Sequence, residues 1–405
     1  MGNLLYLVHR LPYPPNKGDK VRSYHLLKHL VQKHRVFLGT FIDDPSDEAY
    51  VSTVKGICPD LHIERIHPRI AKLRSLGALL TRQALSLRYY QNVGLQHWVN
   101  QTLADHQIDA IVVFSSVMAQ YVDGTMHSKL PPMLVDFVDV DSAKWKQYAP
   151  EHRWPLSWLY RREGRCLLAF ERWVAKQARR SFFVTDNEAA LFCQHAPESA
   201  GHIEAISNGV DSDYFSPDPN LCSPFEDENV MSLVFTGAMD YWPNVDAVSW
   251  FVADVFPALR RDWPMLRFYI VGRSPSPAVE ALAGAGVFVT GTVPDVRPYL
   301  QHASVVVAPL RVARGIQNKI LEAMAMARPV VASTSCVEAI HARSDQDLMA
   351  AASAADFGHQ INALLRSPEL SSRVGQAGRQ RVLQYYSWDA HLSKIDPYLH
   401  TEVSA

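Results

Sequence analysis

Short, uninterrupted apolar runs alternate with helix-length amphipathic stretches along almost the whole chain, and this rhythm restricts the fold more than any other feature. In the first half the runs are Leu4–Val8, Val36–Phe41, Leu61–Ile66, Ile108–Phe114, Met133–Val138 and Phe182–Thr185. In the second half they are Ser232–Thr236, Leu266–Val271, Val287–Thr290, Ser304–Ala308 and Val330–Ser333. None shows the polar alternation of a half-solvated strand, so each reads as a parallel strand buried on both faces. Alternating β and α then imply doubly wound α/β sheets. Between the two sets, Ser207–Asn229 carries Pro217, Pro219 and Pro224 among Asp, Asn and Ser, and reads as a linker. The expected layout is a Rossmann-like domain over 1–206, a linker over 207–229, and a second Rossmann-like domain over 230–386. A C-terminal helical segment over 387–405 is expected to cross back to the first domain. With 405 residues the chain is long enough for two cores.

Charge and cysteine content exclude several classes. A net charge of -1 gives no electrostatic footprint for nucleic acid. The five cysteines are scattered without a Cys-x-x-Cys pair, so neither a disulfide framework nor a zinc site is expected, and a cytoplasmic location fits. No apolar run approaches the ~20 residues of a membrane span. The charge is unevenly spread, however. From Arg65 to Ala104 there is no Asp or Glu, while Arg65, Arg69, Lys72, Arg74, Arg82 and Arg88 interleave with Leu and Tyr. A second basic-aromatic stretch runs from Trp154 to Arg180. Such segments read either as a solvated basic face or as an attachment to an anionic membrane surface.

Two stretches have the makings of a binding site. Gly315-Ile-Gln-Asn-Lys-Ile-Leu-Glu322 runs on to Pro329-Val-Val-Ala-Ser333, a helix followed by a buried strand. Gly315 permits close backbone approach, and the free amides of a helix start suit a phosphate. Lys319 and Glu322 lie three apart and share a face. Near the N-terminus, Lys17-Gly18-Asp19-Lys20 with Arg22 reads as an electropositive β-α turn whose amides can face an anion. Asp136, Asp139 and Asp141 crowd the end of one strand, where carboxylates must be solvated, paired or functional. Acceptor binding or hydrogen bonds to the Lys17–Arg22 loop are the readings favoured over a metal pair. Asp186-Asn187 reads as a helix cap, and His25 and His29 read as surface or packing residues.

Taken in order, Asn208-Gly-Val-Asp211, Phe235-Thr-Gly-Ala-Met-Asp-Tyr-Trp-Pro-Asn244, Val271-Gly-Arg273, Gly291-Thr-Val-Pro-Asp295 and Gly315–Glu322 resemble the retaining GT-B glycosyltransferases of group 1 (GT4). With Pro14–Arg22, Asp43-Asp44-Pro45 and Asp136–Trp145, the chain is similar to the branch linked to the PEP-CTERM/exosortase system and bacterial exopolysaccharide synthesis. The resemblance implies two Rossmann-like domains facing a cleft. It implies a nucleotide-sugar donor as substrate, no other cofactor and no metal, and a saccharide or lipid-linked acceptor. It further implies that the donor diphosphate meets Arg314, Gly315, Ile316, Gln317, Asn318 and Lys319, and that Glu322 holds the ribose. Gly237 would approach the phosphates, and Arg273 with Thr292 and Val293 would border the base, although Val-Gly-Arg reads equally as a plain strand end. Lys319, Glu322 and Asp139 are the expected catalytic residues, and Lys17, Gly18, Asp19 and Arg22 the expected N-terminal loop at the site. The location implied is the cytoplasm, with attachment to the inner face of the plasma membrane.

The chain departs from the family pattern in three places. The first Glu of the Glu-x7-Glu motif is replaced by Arg314. The turn after Gly237 lacks the usual Arg and Lys, so Lys319, Arg314 or the N-terminal loop must supply positive charge. Phe114 is followed by Ser115 and Ser116 rather than by a His. A GT-B-fold sugar-nucleotide 2-epimerase and a non-catalytic donor-binding scaffold are the competing readings.

Overall fold

The structure, a computed structural model, describes residues 2–15, 18–122, 130–225, 230–311, 316–340 and 342–399. Two units emerge, one of residues 1–208 with 391–405 and one of residues 209–390.

The first unit is built on a parallel sheet of β1 (Asn3–Val8), β2 (Arg35–Ile42), β3 (Leu61–Arg65), β4 (Ala110–Phe114), β5 (Met133–Val138), β6 (Arg180–Phe183) and β7 (Ile203–Ala205). Its spatial order is β3-β2-β1-β4-β5-β6-β7. Strands β1, β2 and β4 are almost wholly buried, which is why their sequences lack polar alternation. Helices cover the sheet, the longest being Leu156–Gln177. Residues 391–399 return to this unit: Asp396 accepts from His29 and Lys33 of the Gly18–Lys33 helix, and Phe182 meets the Tyr398 ring.

The second unit holds β8 (Ser232–Thr236), β9 (Arg267–Val271), β10 (Val287–Gly291), β11 (Val305–Ala308), β12 (Val330–Ser333) and β13 (Met349–Ala351) in the order β10-β9-β8-β11-β12-β13. Residues from Gly209 onward count with this unit. Val210 and Phe225 enter its core, and Gln301 holds the backbone of Asp218. The tail is helical over Ala354–Arg366 and Pro368–Tyr385, with a break at Ser367. Both sheets are doubly wound, as the apolar runs imply. Each changes direction once in its strand order, between β1 and β4 and between β8 and β11. Open α/β sheets bind ligands in the crevice beyond the strand ends at such a point.

Candidate functional site

At the β8–β11 switch point the chain leaves almost no side-chain bulk. Thr236 pairs with Val271, and Val271 pairs with Gly291, so Gly237, Gly272 and Gly291 follow one another along the C-terminal rim of three adjacent strands. The Gly237 amide donates to Val271 and the Gly272 amide to Gly291. A methyl group at Gly272 would lie 1.6 Å from the Gly237 carbonyl oxygen, so the two backbones touch. One at Gly237 would meet Asn244 Nδ2 at 2.8 Å and Lys319 Nζ at 2.9 Å. The rim is thus a shallow backbone cradle with a single ammonium reaching over it.

The ammonium comes from the Asn318–Ala325 helix. Its buried face, Ile320, Leu321, Ala323 and Met324, packs between β11 and β12 and fixes the orientation of the polar face. Gln317 occupies the N-cap position with extended backbone and no side-chain cap. The amides of Asn318 and Lys319 therefore have no acceptor within the helix, while Ile320 turns back onto the Gln317 carbonyl (3.0 Å). Lys319 Nζ donates to Asn244 Oδ1 (2.5 Å) and stands 4.2 Å from the centre of the Phe235 ring. Asn244 is buried, and its Nδ2 donates to the Ala238 carbonyl (2.8 Å), so one amide side chain holds both the turn after Gly237 and the lysine.

Burial dominates the electrostatics of the two titratable side chains on this helix. Burial pushes the Lys319 ammonium down to about 8, against the pull of nearby Glu322 and Cys336. Burial likewise pushes the Glu322 carboxyl up to about 7, with Lys319 pulling it down. Among the described residues no carboxylate lies within ion-pair distance of Lys319, whose direct contacts are an amide oxygen and a ring face, with Glu322 acting from further off. Desolvated groups without a full counter-ion mark functional sites more often than structural ones.

The other expected residues fall in several places. Arg273 is exposed just after β9, and its carbonyl accepts from the Met239 amide (2.8 Å). Thr292 is exposed and Val293 half-buried after β10, two strands from Gly237. They share one sheet edge with Gly237 and Lys319. Ile316 is exposed just before the helix. The helix begins at Asn318, later than the Gly315 start expected from sequence, because the apolar face that anchors it begins only at Ile320. Arg314 and Gly315 lie outside the described residues, as does Lys17. Sequence reading missed Asn244, Phe235 and Gly272 as parts of the candidate site. The first stands in a quoted motif, but its contact with Lys319 joins residues 75 apart.

Among the described residues of the N-terminal loop, the two cations are committed to carboxylates. Arg22 is fully buried, donating to Asp136 (2.7 Å), the Ile206 carbonyl (2.7 Å) and Asn208 Oδ1 (3.0 Å). Lys20 is buried against Asp47 at 2.6 and 2.7 Å. These cations neutralise buried carboxylates, so the reading of an electropositive loop is corrected for both. Gly18 opens the Gly18–Lys33 helix, and Asp19 binds Arg10 (3.1 Å) and His9 (3.4 Å), contacts that hold its carboxyl well below the usual range. The aspartate cluster divides. Asp136 takes Arg22, as one sequence reading had it, and the half-buried Asp139 shares Lys144 (2.8 Å) with Asp141 (3.2 Å). Among the described residues no group of carboxylates, His or Cys is arranged to hold a metal. The cap of the Asp186–His195 helix is Thr185, not Asp186-Asn187, because Thr185 is the last extended residue and its hydroxyl reaches the Glu188 amide (3.2 Å). His25 and His29 are buried, and His29 meets Asp396 (2.7 Å). No helix among the described residues is long and apolar enough to cross a membrane.

Residues 231–367, most of the second unit, match the family model of group 1 glycosyl transferases. No curated protein sequence matches the chain. Among solved structures, the chain is similar to the Anabaena protein HepE in complex with UDP (TM-score 0.59, 15% identity, 98% of this chain and 99% of that one). It is also similar to a sucrose-phosphate synthase from Thermosynechococcus elongatus (0.57, 15%, 98% of each). A glycosyltransferase from Rickettsia africae ESF-5 aligns comparably (0.58, 13%, 98% and 97%). At these identities the likeness speaks for the fold: two Rossmann-like units of the GT-B type. Together with the family match it supports a GT-B glycosyltransferase.

Proposed function

We propose that the chain transfers a sugar from a nucleoside diphosphate donor to a hydroxyl acceptor, with retained anomeric configuration, in bacterial exopolysaccharide assembly. The observation that carries the donor half is the Lys319 ammonium over the Gly237–Gly272 rim, desolvated and without a carboxylate partner. A diphosphate would complete its ion pair and accept from the open amides of Asn318 and Lys319. Glu322, one turn further on, would take two ribose hydroxyls, and Arg273 with Thr292 and Val293 would border the base further along the same edge. That the Anabaena structure was solved with UDP supports a nucleotide as the ligand.

In this reading the slow event is departure of the nucleoside diphosphate. Charge develops on the leaving oxygens, and preorganised amides with one ammonium stabilise it more than they stabilise the ground state. Lys319 suits this because a desolvated cation gains most when negative charge arrives. Asn244 would keep Nζ in place while the charge shifts, and Asn244 and Phe235 are positioning residues here. Retention rests on the resemblance of the motifs, in which the acceptor attacks from the leaving-group side and its proton passes to the departing phosphate. The acceptor is a saccharide or a lipid-linked saccharide handled by the first unit, with Asp139 and Asp19 as its nearest carboxylate candidates. The cytoplasm, with attachment to the inner membrane face, is the matching location.

A thermal-shift panel of UDP-, GDP- and ADP-sugars tests the donor half. One of the three should raise the melting temperature in a concentration-dependent way by mass action. No shift with any of them at millimolar concentration would remove the nucleotide reading.

A further inference from the structure

Two cavities of the first unit share one short helix, Leu85–Tyr89, as a wall. The first lies near the end of β1, is lined by Tyr89, Tyr90, Trp145 and Tyr160, and is aromatic. The second, of about 390 Å³, takes Leu87 and Arg88 of the helix and has a different chemistry. That volume lies in the range of small-molecule sites, roughly 300–1,000 Å³. Its opposite wall is Cys166, Ala169, Phe170 and Trp173, which share one face of the Leu156–Gln177 helix. The walls are held firmly. Glu163 accepts from the Leu85 and Ser86 amides (2.6 and 2.9 Å) and fixes the start of the shared helix. The buried Arg162 donates to the Ala78, Thr81 and Gln83 carbonyls and pins the loop that carries Arg82.

Cations and amides line the second cavity, and no carboxylate stands among its described walls. Arg82 is exposed and Arg88 half-buried, and neither has a carboxylate partner among the described residues. Arg88 Nη1 donates to Gln91 Oε1 (2.7 Å), while its buried Nε has no hydrogen-bond partner among them. A buried donor left open is unfavourable and asks for an acceptor. Gln120 is oriented by its Nε2, which donates to the Val117 carbonyl (2.8 Å). The Phe170 and Trp173 rings stack at 5.6 Å with their planes 27° apart, and Trp173 is 37% exposed. Guanidinium groups, amides and an aromatic face therefore border one space. A guanidinium selects a carboxylate or phosphate through paired hydrogen bonds. Side-chain amides offer donors and acceptors, which suits hydroxyl groups. The C–H face of a pyranose is flat and apolar, and packs on a ring. An apolar ligand would leave Arg88 unmet, and a bare anion would leave the rings unused.

We propose that this cavity is a second carbohydrate site, selective for a pyranose that bears an anionic group, a uronate or a sugar phosphate. Arg88 and Arg82 would hold the anion, Gln91 and Gln120 the hydroxyls, and Trp173 the ring face. None of its described walls belongs to the strand ends at the β1–β4 switch point, so it holds an acidic sugar away from that crevice. The site stands on its own walls and does not depend on the transferase reading.

The test titrates glucuronate, glucose 6-phosphate, glucose and inorganic phosphate into the full chain by calorimetry. One of the first two should bind at least about tenfold more tightly than either of the last two, since it alone meets cation and ring together. Arg88→Gln should weaken that ligand about tenfold, and Arg82→Gln, at an exposed position where folding is not at stake, should weaken it by about half as much on a logarithmic scale. Trp173→Ala should weaken it about tenfold and Trp173→Phe should restore most of the loss. Lys319→Met should bind it like the wild type, and the ligand should slow alkylation of Cys166 but not of the exposed Cys222. Glucose or inorganic phosphate binding as tightly as the acidic sugars, or unchanged affinity in both arginine variants, would overturn the proposal. So would loss of binding in Lys319→Met, which would place the sugar on the nucleotide rim. If an acidic sugar binds and no nucleotide does, the transferase reading fails and this site survives; if a nucleotide binds and neither acidic sugar does, this site fails and the transferase reading survives.

Discussion

The two switch points of this molecule share a topology and differ in how their cations are matched. At the end of β1 in the first unit, Arg10, Lys20 and Arg22 are each tied to carboxylates: Asp43 and Asp19, Asp47, and Asp136. At the end of β8 in the second, the described contacts of Lys319 Nζ are Asn244 and the Phe235 ring. Strand order marks both places as crevices, but among the described residues the second leaves a desolvated ammonium without a carboxylate at ion-pair distance. A lysine–amide contact over bare glycine backbone can accept a diphosphate; a buried arginine already neutralised by an aspartate has no charge left for one. The first unit's crevice instead adjoins an aromatic cavity, which fits a different kind of ligand.

Exchanging the roles of these cations breaks the comparison most sharply. Arg22→Met should lower stability by about 3–5 kcal/mol, because it leaves the Asp136 charge buried alone. Equilibrium denaturation measures this, and a loss under 1 kcal/mol would show that Arg22 is not structural. Lys319→Met should leave stability unchanged or slightly higher, yet lower kcat/KM by about 2.7–4 kcal/mol, as loss of one leaving-group stabiliser does. Next in size is Gly237→Ala, whose methyl would press on Lys319 and Asn244. It should weaken donor binding by about 1–3 kcal/mol in calorimetry, and unchanged affinity would place the donor elsewhere. Asn244→Ala should lower kcat with the fold retained, by about 1–3 kcal/mol in the barrier, because it releases both the Ala238 turn and Nζ.

The smallest effect is a pH signature at Glu322. Its folded-state value lies above the usual carboxyl range, near 7, because burial disfavours the charge. The stabilisation linked to its protonated form is therefore present below the unfolded value near 4.5 and is lost as pH rises through 7. Glu322→Gln keeps a neutral group at every pH. Its melting temperature relative to wild type should rise between pH 5 and pH 8, by roughly 2 °C. A difference that shrinks over that interval would contradict the assigned environment.

Much of the fold was legible because parallel strands buried on both faces need apolar runs, and those runs lie intact in the chain. Strands β7 and β13 were not legible. Each is a three-residue edge strand, Ile203–Ala205 and Met349–Ala351, too short for a run, and the first contains Glu204. At the site, Gly237, Lys319 and Glu322 were readable because glycine and charge at a strand–helix junction have few uses. Lys20 was misread because Asp47 stands 27 residues away, whereas the pairing of Arg22 with Asp136, 114 residues away, was one of the two readings favoured for the crowded aspartates. A lysine or arginine beside a glycine turn looks solvated until a distant aspartate is known to meet it. Asn244 was missed for the same reason, since an asparagine has no local signature for gripping a lysine 75 residues on.

Calorimetric titration of UDP, GDP and ADP into the full chain and into Lys319→Ala, at pH 8 in two buffers of different ionisation enthalpy, tests the central claim most directly. Because burial holds Lys319 down to about 8, an arriving diphosphate should restore its proton. One of the three should bind the wild type with net proton uptake, and the variant should lose both the uptake and most of the affinity. Equal affinity and equal proton uptake in the two proteins would show that the diphosphate does not sit on Lys319.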